Sequence, residues 1–251
     1  MKDLVSLLKM TQPELKMYLF KLLQSRQMNP VFEDGYLYAA GDLPVLLVAH
    51  MDTVITTPNQ MICYDENLDK IYSPQGVLGG DDRCGVYAIL KLLEKHRPHI
   101  LFTEDEEIGG IGAIKASNTL PKPDVKYIVE FDRRGKKDCV FYECGNQDFI
   151  DYVKTFGFKE DFGTFSDISI LGEVWDIASV NLSCGYYNEH TKKEYIIFHE
   201  LEKTINRANK MLKRVPKAKS FDHQGKTYEK GYVKKIVYDY YNWGLDDDIY
   251  D

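Results

Sequence analysis

The sequence predicts a three-layer α/β/α fold, in which a mostly parallel, twisted sheet is covered by helices on both faces. Nearly all-apolar runs such as "PVLLVAH" (44–50) are typical of strands that are buried on both faces of a sheet. Other segments, such as "GVYAILKLLEKH" (85–96), carry apolar residues at helical spacing. Because the two kinds of segment alternate along the chain, the strands are expected to be mainly parallel and joined by helices.

The elements follow one another along the chain. Residues 3–24 have a helical pattern with a restart near Thr11, which has capping-box spacing to Glu14 and is followed by Pro13 in the first turn. The stretch "VFEDGYLYAAG" (31–41) has an Asp-Gly turn between β-prone residues, which indicates a hairpin. Further strands are predicted at 44–50, 99–104, 125–131 and 175–185, and further helices at 85–96, 109–117, 147–158 and 194–215.

The length and the composition indicate one domain with an appendage. The chain has 251 residues, of which 44% are hydrophobic, and this is enough to bury one sizeable core. We assign residues 1–215 to that domain. From residue 216 to residue 251 the chain is first basic, then rich in tyrosine and finally acidic. We interpret this part as a C-terminal extension whose role the sequence does not determine.

The composition also excludes several classes of protein. The formal net charge of -7 argues against a nucleic-acid-binding groove. No apolar run approaches the roughly 20 residues that span a membrane, and the charged N-terminus does not resemble a signal peptide. The five cysteines are scattered and lack C-x-x-C spacing, so neither a disulfide framework nor a thiolate zinc site is indicated. We therefore expect a cytoplasmic protein that binds neither nucleic acid nor membrane.

Acidic and histidine side chains stand at or near the ends of the predicted strands. In open α/β sheets, ligands bind at the carboxyl edge of the strands, so these side chains are expected to converge on one cleft. Each alone has an ordinary explanation, such as a helix start, a solvated acidic face, an ion pair or a loop histidine. Their order along the chain is harder to explain by chance. They are His50 and Asp52, Asp81 and Asp82, Glu106 and Glu107, Asp132, and His190.

These residue types suit a pair of zinc ions. Two such ions carry four positive charges, of which three carboxylates offset three, while neutral imidazoles complete the ligand set. One carboxylate would bridge the ions at a separation of roughly 3.5–4 Å. Asp52 lies two residues after His50 on an extended segment, so it points to the same side and is placed to hold one ring nitrogen of that histidine.

Five short motifs contain these residues, in the order "HMD", "GGDDRCG", "TEDEEIGGIGA", "EFDRRG" and "YYNEH". As an ordered set they resemble the co-catalytic dizinc exopeptidases and acyl-amino-acid hydrolases, which include peptidase T, glutamate carboxypeptidases and single-domain zinc aminopeptidases. The resemblance covers residues 45–215 and implies two divalent metal ions per chain, most simply Zn²⁺. Asp81 is the implied bridging ligand. The other implied ligands are His50 and Asp132 on one metal, and Glu107 and His190 on the other.

Two of the implied ligands have competitors nearby. Asp82 adjoins Asp81, but the family's ligand is the Asp that is followed by one residue and then a basic residue, which favours Asp81. Glu130 competes with Asp132 and is disfavoured because it lies within the apolar strand. Two-domain members of the family insert a lid domain between Asp132 and His190. Here that interval is short and already supplies a core helix and strand, so we expect no lid domain.

The resemblance implies a hydrolase that cleaves the terminal peptide bond of a short peptide, in the manner of an aminopeptidase. Glu106 is the implied general base, Asp52 the residue that orients His50, and a metal-bound hydroxide the nucleophile. The loops "GTFSDIS" (163–169) and "CGYYNEH" (184–190) are expected to border the substrate. The oligomeric state is not determined by the sequence. The candidates to hold a substrate terminus are Arg133, Arg134, Tyr187 and Asn188.

Three other functions fit parts of the same pattern. An amidohydrolase that deacylates N-acyl amino acids uses the same machinery and differs only in its substrate pocket. A metal-stabilised binding module without catalysis would not need to keep Glu106. A serine hydrolase built from His50, Asp52 and Ser166 is disfavoured because the chain has no G-x-S-x-G elbow.

Overall fold

The structure, a computed structural model, describes residues 1–225. Its helices are α1 (Lys2–Leu8), α2 (Gln12–Ser25), α3 (Gly80–Leu92), α4 (Ile111–Thr119), α5 (Gln147–Lys154), α6 (Asp167–Trp175) and α7 (Phe198–Arg214), followed by a 3-10 turn at Val215–Lys217. Its strands are β1 (Val31–Glu33), β2 (Tyr36–Ala39), β3 (Leu43–His50), β4 (Cys63–Asp65), β5 (Lys70–Tyr72), β6 (Pro98–Thr103), β7 (Ile128–Arg133), β8 (Asp138–Val140), β9 (Lys159–Glu160), β10 (Ser179–Ser183), β11 (Tyr186–Tyr187) and β12 (Tyr195–Ile197).

The main sheet has the strand order β1-β2-β6-β3-β7-β10-β8-β9. Its central strands β6, β3, β7 and β10 run parallel to one another. The antiparallel pairs lie toward the edges, where β1 pairs with β2, β2 with β6 and β8 with β10. Helices α4 and α6 pack on one face, and the other α-helices pack on the opposite face or its margin. The predicted three-layer, mostly parallel fold is therefore confirmed.

Strand β3 shows why this sheet is buried on both faces. Its residues Val45, Leu47 and Ala49 belong to the larger apolar cluster, on the side of α3. The alternate residues Leu46 and Val48 belong to the smaller cluster, on the side of α4 and α6. Because successive side chains of a strand point to opposite faces, an unbroken apolar run lets β3 pack against helices on both sides.

The N-terminal helices are tied to the sheet edge that carries the candidate site. Thr11 and Glu14 form the predicted capping box at the start of α2, since each side chain accepts a hydrogen bond from the other's backbone N–H. Lys16 of α2 is buried and forms an ion pair with Glu104, which directly follows β6. Glu104 also accepts a hydrogen bond from the Gly35 N–H at 2.9 Å. The end of β6 is therefore held from two sides.

Several local features differ from the sequence-based expectation. The pattern does not predict a small second sheet, which has the order β11-β12-β5-β4. The helix expected from residue 194 begins at Phe198, because Tyr195–Ile197 pairs as β12 with β5 and β11. Helix α3 begins at Gly80 rather than at residue 85. Helix α6 begins at Asp167, within the loop expected at 163–169, and ends at Trp175, where the pattern predicts the start of a strand.

The chain continues to pack on the core beyond the predicted domain boundary at residue 215, which stays a prediction. The Phe221 ring lies 5.2 Å from that of Phe149 and 5.5 Å from that of Tyr152, measured between centroids. The Phe221 N–H donates to the Lys126 carbonyl at 2.9 Å. Residues 226–251, which make up most of the predicted extension, lie outside the described residues. Among residues 1–225, no helix is long and apolar enough to cross a membrane.

Candidate metal centre

The structure brings the predicted ligands together at the carboxyl edge of the parallel strands. His50 ends β3, Asp132 lies near the end of β7, and Glu107 follows β6. Asp81 lies in the first turn of α3, and His190 lies in the loop between β11 and β12. Two groups of ligand atoms result, each with its atoms within 4.8 Å of one another: His50, Asp81 and Asp132, and Asp81, Glu107 and His190.

Asp81 belongs to both groups and lies between the two imidazoles. Its Oδ1 atom is 3.0 Å from Nε2 of His50, and its Oδ2 atom is 3.1 Å from Nε2 of His190. Asp132 Oδ1 lies 3.5 Å from His50 Nε2, and Glu107 Oε1 lies 2.9 Å from His190 Nε2. A carboxylate that offers one oxygen to each of two adjacent groups has the geometry of a bridging ligand.

The arrangement of these oxygen and nitrogen atoms fits metal binding better than it fits hydrogen bonding alone. Glu107 Oε1 is buried and makes no hydrogen bond, although it lies only 2.9 Å from His190 Nε2. The close carboxylates of Asp81 and Glu107 raise the pKa of His190 to about 10. A cation would satisfy the converging oxygens and accept the neutral imidazole, and both donor types are ordinary zinc ligands. The residues that are present therefore fit a pair of divalent metal ions.

Asp52 contacts both the imidazole of His50 and the loop after β6. Its Oδ1 atom lies 3.2 Å from Nδ1 of His50, the ring nitrogen that faces away from Asp81. It also accepts hydrogen bonds from the N–H groups of Glu106 at 3.2 Å and Glu107 at 3.0 Å. Burial acts to raise the pKa of Asp52, but His50 and these N–H groups lower it to about 2. These are the contacts expected of a residue that orients His50.

Glu106 lies among other acids. Burial raises its pKa to about 9, and the nearby Asp132 and Asp167 act in the same direction. Asp167, at the start of α6, is fully buried and accepts a hydrogen bond from the Thr103 hydroxyl. Burial also raises the pKa of Asp167, to about 7. Strongly shifted carboxyl groups cluster at functional sites, because such sites bring charges together at low exposure to water.

The two competing acids belong to neither group of donor atoms. Asp82 is fully buried; it accepts a hydrogen bond from the His50 N–H at 3.3 Å and from the Gly85 N–H at 2.8 Å. Glu130 is fully buried within β7 and accepts a hydrogen bond from the Ser166 hydroxyl. Asp82 and Glu130 therefore contact other protein groups and not the candidate metal positions. This geometry agrees with the sequence-based choice of Asp81 and Asp132 as the ligands.

Asp132 is held by three residues that the sequence does not identify as its partners. The hydroxyls of Ser166 and Tyr186 each lie 3.1 Å from one of its carboxylate oxygens. Asn181 accepts a hydrogen bond from the Asp132 N–H at 2.8 Å and donates one to its carbonyl at 3.0 Å. Ser166, the serine of the hydrolase alternative, thus contacts a candidate metal ligand.

Glu194 is a further residue that the sequence pattern misses. It is buried, and its Oε2 atom accepts hydrogen bonds from the N–H groups of Leu78 at 2.9 Å and Gly79 at 2.8 Å. Its Oε1 atom accepts one from the Asp81 N–H at 3.1 Å. Burial raises the pKa of Glu194 to about 7, although the three N–H groups oppose this. Glu194 therefore fixes the backbone that carries the shared carboxylate.

Both arginines that were candidates to hold a substrate terminus pair with carboxylates of the chain. Arg133 donates to Asp161 at 2.6 Å and to the Phe162 carbonyl at 3.1 Å. Arg134 donates to Glu189 at 2.9 Å. The guanidinium groups of Arg133 and Arg134 thus already have acidic or carbonyl partners within the chain.

The other two candidates also have partners within the chain. The Tyr187 hydroxyl donates to Glu200, and the Tyr187 ring stacks on that of Tyr195 with 5.2 Å between centroids. Asn188 donates to the Lys193 carbonyl at 3.4 Å. A role for these side chains in substrate binding stays a prediction.

Comparison with known proteins finds similarity in structure only. No model of a protein family matches the sequence, and no curated protein sequence matches it. The solved structure of aminopeptidase PepT from Bacillus cereus is similar with a TM-score of 0.69 and 14% identity, and the match covers 86% of this chain and 97% of that chain. A tripeptidase from Staphylococcus aureus gives a TM-score of 0.67 and 15% identity, over 86% of this chain and 98% of that chain.

A third match is a protein from Bacteroides vulgatus that is provisionally named a zinc-dependent exopeptidase. Its TM-score is 0.55 and its identity 14%, over 80% of this chain and 85% of that chain. At such low identities the comparisons show the fold. The fold is thus shared with solved structures that are named as peptidases. In the described interval from Asp132 to His190, the chain forms only core elements of this fold and the short β11, so no lid domain is inserted.

Proposed function

We propose that this chain is a dinuclear zinc hydrolase that removes a residue from the end of short peptides, in the manner of an aminopeptidase. One observation carries the proposal. Asp81 offers one carboxylate oxygen to the group around His50 and the other to the group around His190, at 3.0 and 3.1 Å from the imidazole nitrogens. Two adjacent metal positions that share one carboxylate are typical of co-catalytic metal hydrolases.

Each group of the chain has a distinct task in the proposed reaction. Metal ions at the neighbouring ligands would offset the surrounding acids and lower the pKa of Glu106. In its ionised form Glu106 accepts a proton from the attacking water and delivers it to the leaving amine. Asp52 holds the ring of His50 and, through two backbone N–H groups, the position of Glu106 and Glu107. Zinc bound at these ligands would polarise the scissile carbonyl and lower the pKa of water to about 7.

The charges around the site support binding of a free amine at the substrate terminus. Arg133 and Arg134 each donate to a carboxylate of the chain, so neither is a ready partner for a substrate carboxylate. The loop after β6 instead adds Asp105 to an acidic surrounding that attracts a positive charge. The similar structure named an aminopeptidase supports the same choice.

Metal analysis of the purified protein tests the centre. We expect close to two zinc ions per chain, and a chelator should abolish peptide hydrolysis that added zinc restores. An active preparation that contains no transition metal would contradict the proposal. A protein that binds two metal ions but hydrolyses no peptide and no N-acyl amino acid would be the binding module instead.

Modified tripeptides test which terminus is recognised. Leu-Gly-Gly should be cleaved, its N-acetylated form should not, and C-amidation should be tolerated. The reverse pattern would identify a carboxypeptidase. A preference for acetyl-leucine over every peptide would identify the deacylase, which uses the same residues around the metals.

A further inference from the structure

An open depression of about 790 Å³ borders two segments that carry candidate ligands. One segment follows β7 and contains a lining residue two positions after Asp132. The other is the loop between β11 and β12, which contains His190. Because both segments also reach the candidate centre, the depression adjoins it. The residues that line the depression are Arg134, Asn188, Glu189, Thr191, Lys192 and Lys193.

The lining of this depression is mainly cationic, whereas the centre beside it is acidic. Its one acid, Glu189, accepts a hydrogen bond from Arg134 at 2.9 Å. Lys192 and Lys193 are exposed, and within residues 1–225 their ammonium groups form no hydrogen bond and no ion pair. A single exposed lysine is ordinary, but two of them beside an arginine that is already paired leave a local excess of positive charge. This excess lies in a chain whose formal net charge is -7.

The loop that carries both lysines is held in shape by short-range hydrogen bonds. The Thr191 hydroxyl donates to the Asn188 carbonyl at 2.7 Å, and the Lys193 N–H donates to the Thr191 hydroxyl at 3.2 Å. The buried Glu194 follows directly and accepts three hydrogen bonds from backbone N–H groups before and at the start of α3. The loop is therefore fixed both internally and to the segment that carries a candidate ligand.

Lys192 also lies against the segment that enters α3. A Cβ atom built on Gly76 would lie 3.9 Å from Cγ of Lys192, which is an ordinary van der Waals distance. Gly76 precedes Asp81, the shared candidate ligand, by five residues. The stem of Lys192 is thus placed beside the approach to the centre.

The order of the strands places the depression and the acidic loop after β6 on opposite sides of β3. Strands β6 and β7 flank β3, which ends in His50. Asp105 follows β6, whereas Arg134 follows β7. A peptide whose amine lies toward the acids, and whose scissile carbonyl lies at the metal ligands, would therefore extend its leaving part toward the depression.

We propose that Lys192 and Lys193 bind the side-chain carboxylate of the second residue of the substrate, and that they favour glutamate or aspartate at that position. This inference rests on the proposed function, because it concerns the substrate of the same centre. The second residue directly follows the scissile bond, so its side chain is the first of the leaving part to reach the segments that line the depression. Two exposed ammonium groups attract a carboxylate there and repel a cationic side chain.

The experiment compares kcat/KM for Leu-Glu-NH₂, Leu-Gln-NH₂ and Leu-Lys-NH₂ in the zinc-loaded protein. The amides remove the terminal carboxylate, so that only the charge of the second side chain changes. We expect glutamate to be preferred over glutamine by about three- to tenfold, the size expected of two exposed ion pairs, and lysine to be cleaved least efficiently. Added salt should reduce the preference for glutamate. Equal kcat/KM for the glutamate and glutamine peptides would overturn the inference.

Charge reversal distinguishes a direct contact from a structural effect. The double variant Lys192→Glu/Lys193→Glu should reverse the order, so that Leu-Lys-NH₂ is cleaved better than Leu-Glu-NH₂. A loss of structure would lower all three rates without reversing their order, and that result would count against the inference. The matched control is Lys21→Glu/Lys95→Glu, which changes the net charge equally at exposed positions in α2 and after the end of α3. It should leave the order unchanged; a reversal in the control as well would show that net charge, and not the depression, selects the substrate.

A binding measurement separates this inference from the proposed function. Calorimetric titration of the zinc-loaded Glu106→Gln variant should show tighter binding of Leu-Glu-NH₂ than of Leu-Gln-NH₂, and adding Lys192→Gln and Lys193→Gln should remove the difference. Hydrolysis of both peptides at equal efficiency would overturn the inference while the function stands. Absence of hydrolysis by the wild-type protein, with the glutamate peptide still bound more tightly through these lysines, would overturn the function and support the cationic site.

Discussion

Replacement of Glu194 by glutamine or alanine tests how the candidate centre is held in shape. The carboxylate of Glu194 accepts three backbone hydrogen bonds, from Leu78, Gly79 and Asp81, at 2.8–3.1 Å. These donors surround the start of α3, and Glu194 lies four residues after His190. The residue therefore joins the loop of one candidate ligand to the loop of another.

The expected loss can be worked out from these contacts. A hydrogen bond to a charged acceptor contributes about 1.5–3 kcal/mol, and a buried donor left without a partner costs about 1–3 kcal/mol. Glu194→Gln keeps the shape but turns one acceptor oxygen into an NH₂ group that faces a backbone N–H. We expect the free energy of unfolding of the metal-free protein to fall by about 2–4 kcal/mol. Glu194→Ala should cost more, because all three N–H donors lose their partner.

The decisive measurement is metal affinity, determined by competition with a fluorescent chelator. Because Glu194 positions Asp81, Glu194→Gln should weaken binding of both metal ions by about 10–100-fold. This is the typical effect of replacing a residue that holds a metal ligand in position. Asp69→Asn is the control. Asp69 accepts hydrogen bonds from the N–H and ring of His199 and from Tyr64, at 2.6–2.7 Å, and it contacts no candidate ligand. If both variants lost stability but bound metal equally well, the positioning role of Glu194 would be refuted.

Five substitutions test the remaining assignments. Glu106→Gln should keep both metal ions while kcat falls by about 10²–10⁴-fold, and full activity in this variant would contradict the role of Glu106 as base. Glu107→Gln should lose one metal ion, which metal analysis measures. His50→Ala and His190→Ala should each lose metal. On denaturant unfolding without metal, only the buried His50→Ala should cost about 2 kcal/mol, because His190 is half exposed. Lys16→Met should lower the free energy of unfolding by about 3–5 kcal/mol, since the buried carboxylate of Glu104 loses its cationic partner. An unchanged urea midpoint would contradict this.

The fold and the candidate ligands were predictable because both follow from short-range patterns. The apolar run of β3 specifies a strand with two buried faces, and parallel strands place their carboxyl ends at one edge. Side chains at or shortly after the ends of such strands, including His50, Glu107 and Asp132, are therefore expected to meet there. The helix α6 also had a signal: Ile168, Leu171 and Trp175 recur at helical spacing and are all buried.

Other features depend on contacts between distant parts of the chain. Nothing in the surroundings of Glu194 in the sequence marks it as the acceptor for N–H groups more than a hundred residues earlier. The strand Tyr195–Ile197 is apolar and β-prone, but only its pairing with β5 and β11 decides that it is not the first turn of α7. Likewise, Tyr186, which hydrogen-bonds to Asp132, is recognisable only once the fold brings β11 to the loop after β7, where the Gly135 N–H donates to the Tyr186 carbonyl at 2.9 Å.

The pair of adjacent acids at the start of α3 shows how neighbouring residues take different tasks. Asp81 has an extended conformation, with φ of -81° and ψ of 108°, so the two side chains do not share one face of the helix. Asp82 is thereby turned into the core, where it accepts hydrogen bonds from His50 and Gly85, while Asp81 faces both imidazoles. The backbone of His50 is thus bound to one acid of the pair and its ring faces the other. With Asp52 on the second ring nitrogen, the position of this candidate ligand is determined by contacts within the protein.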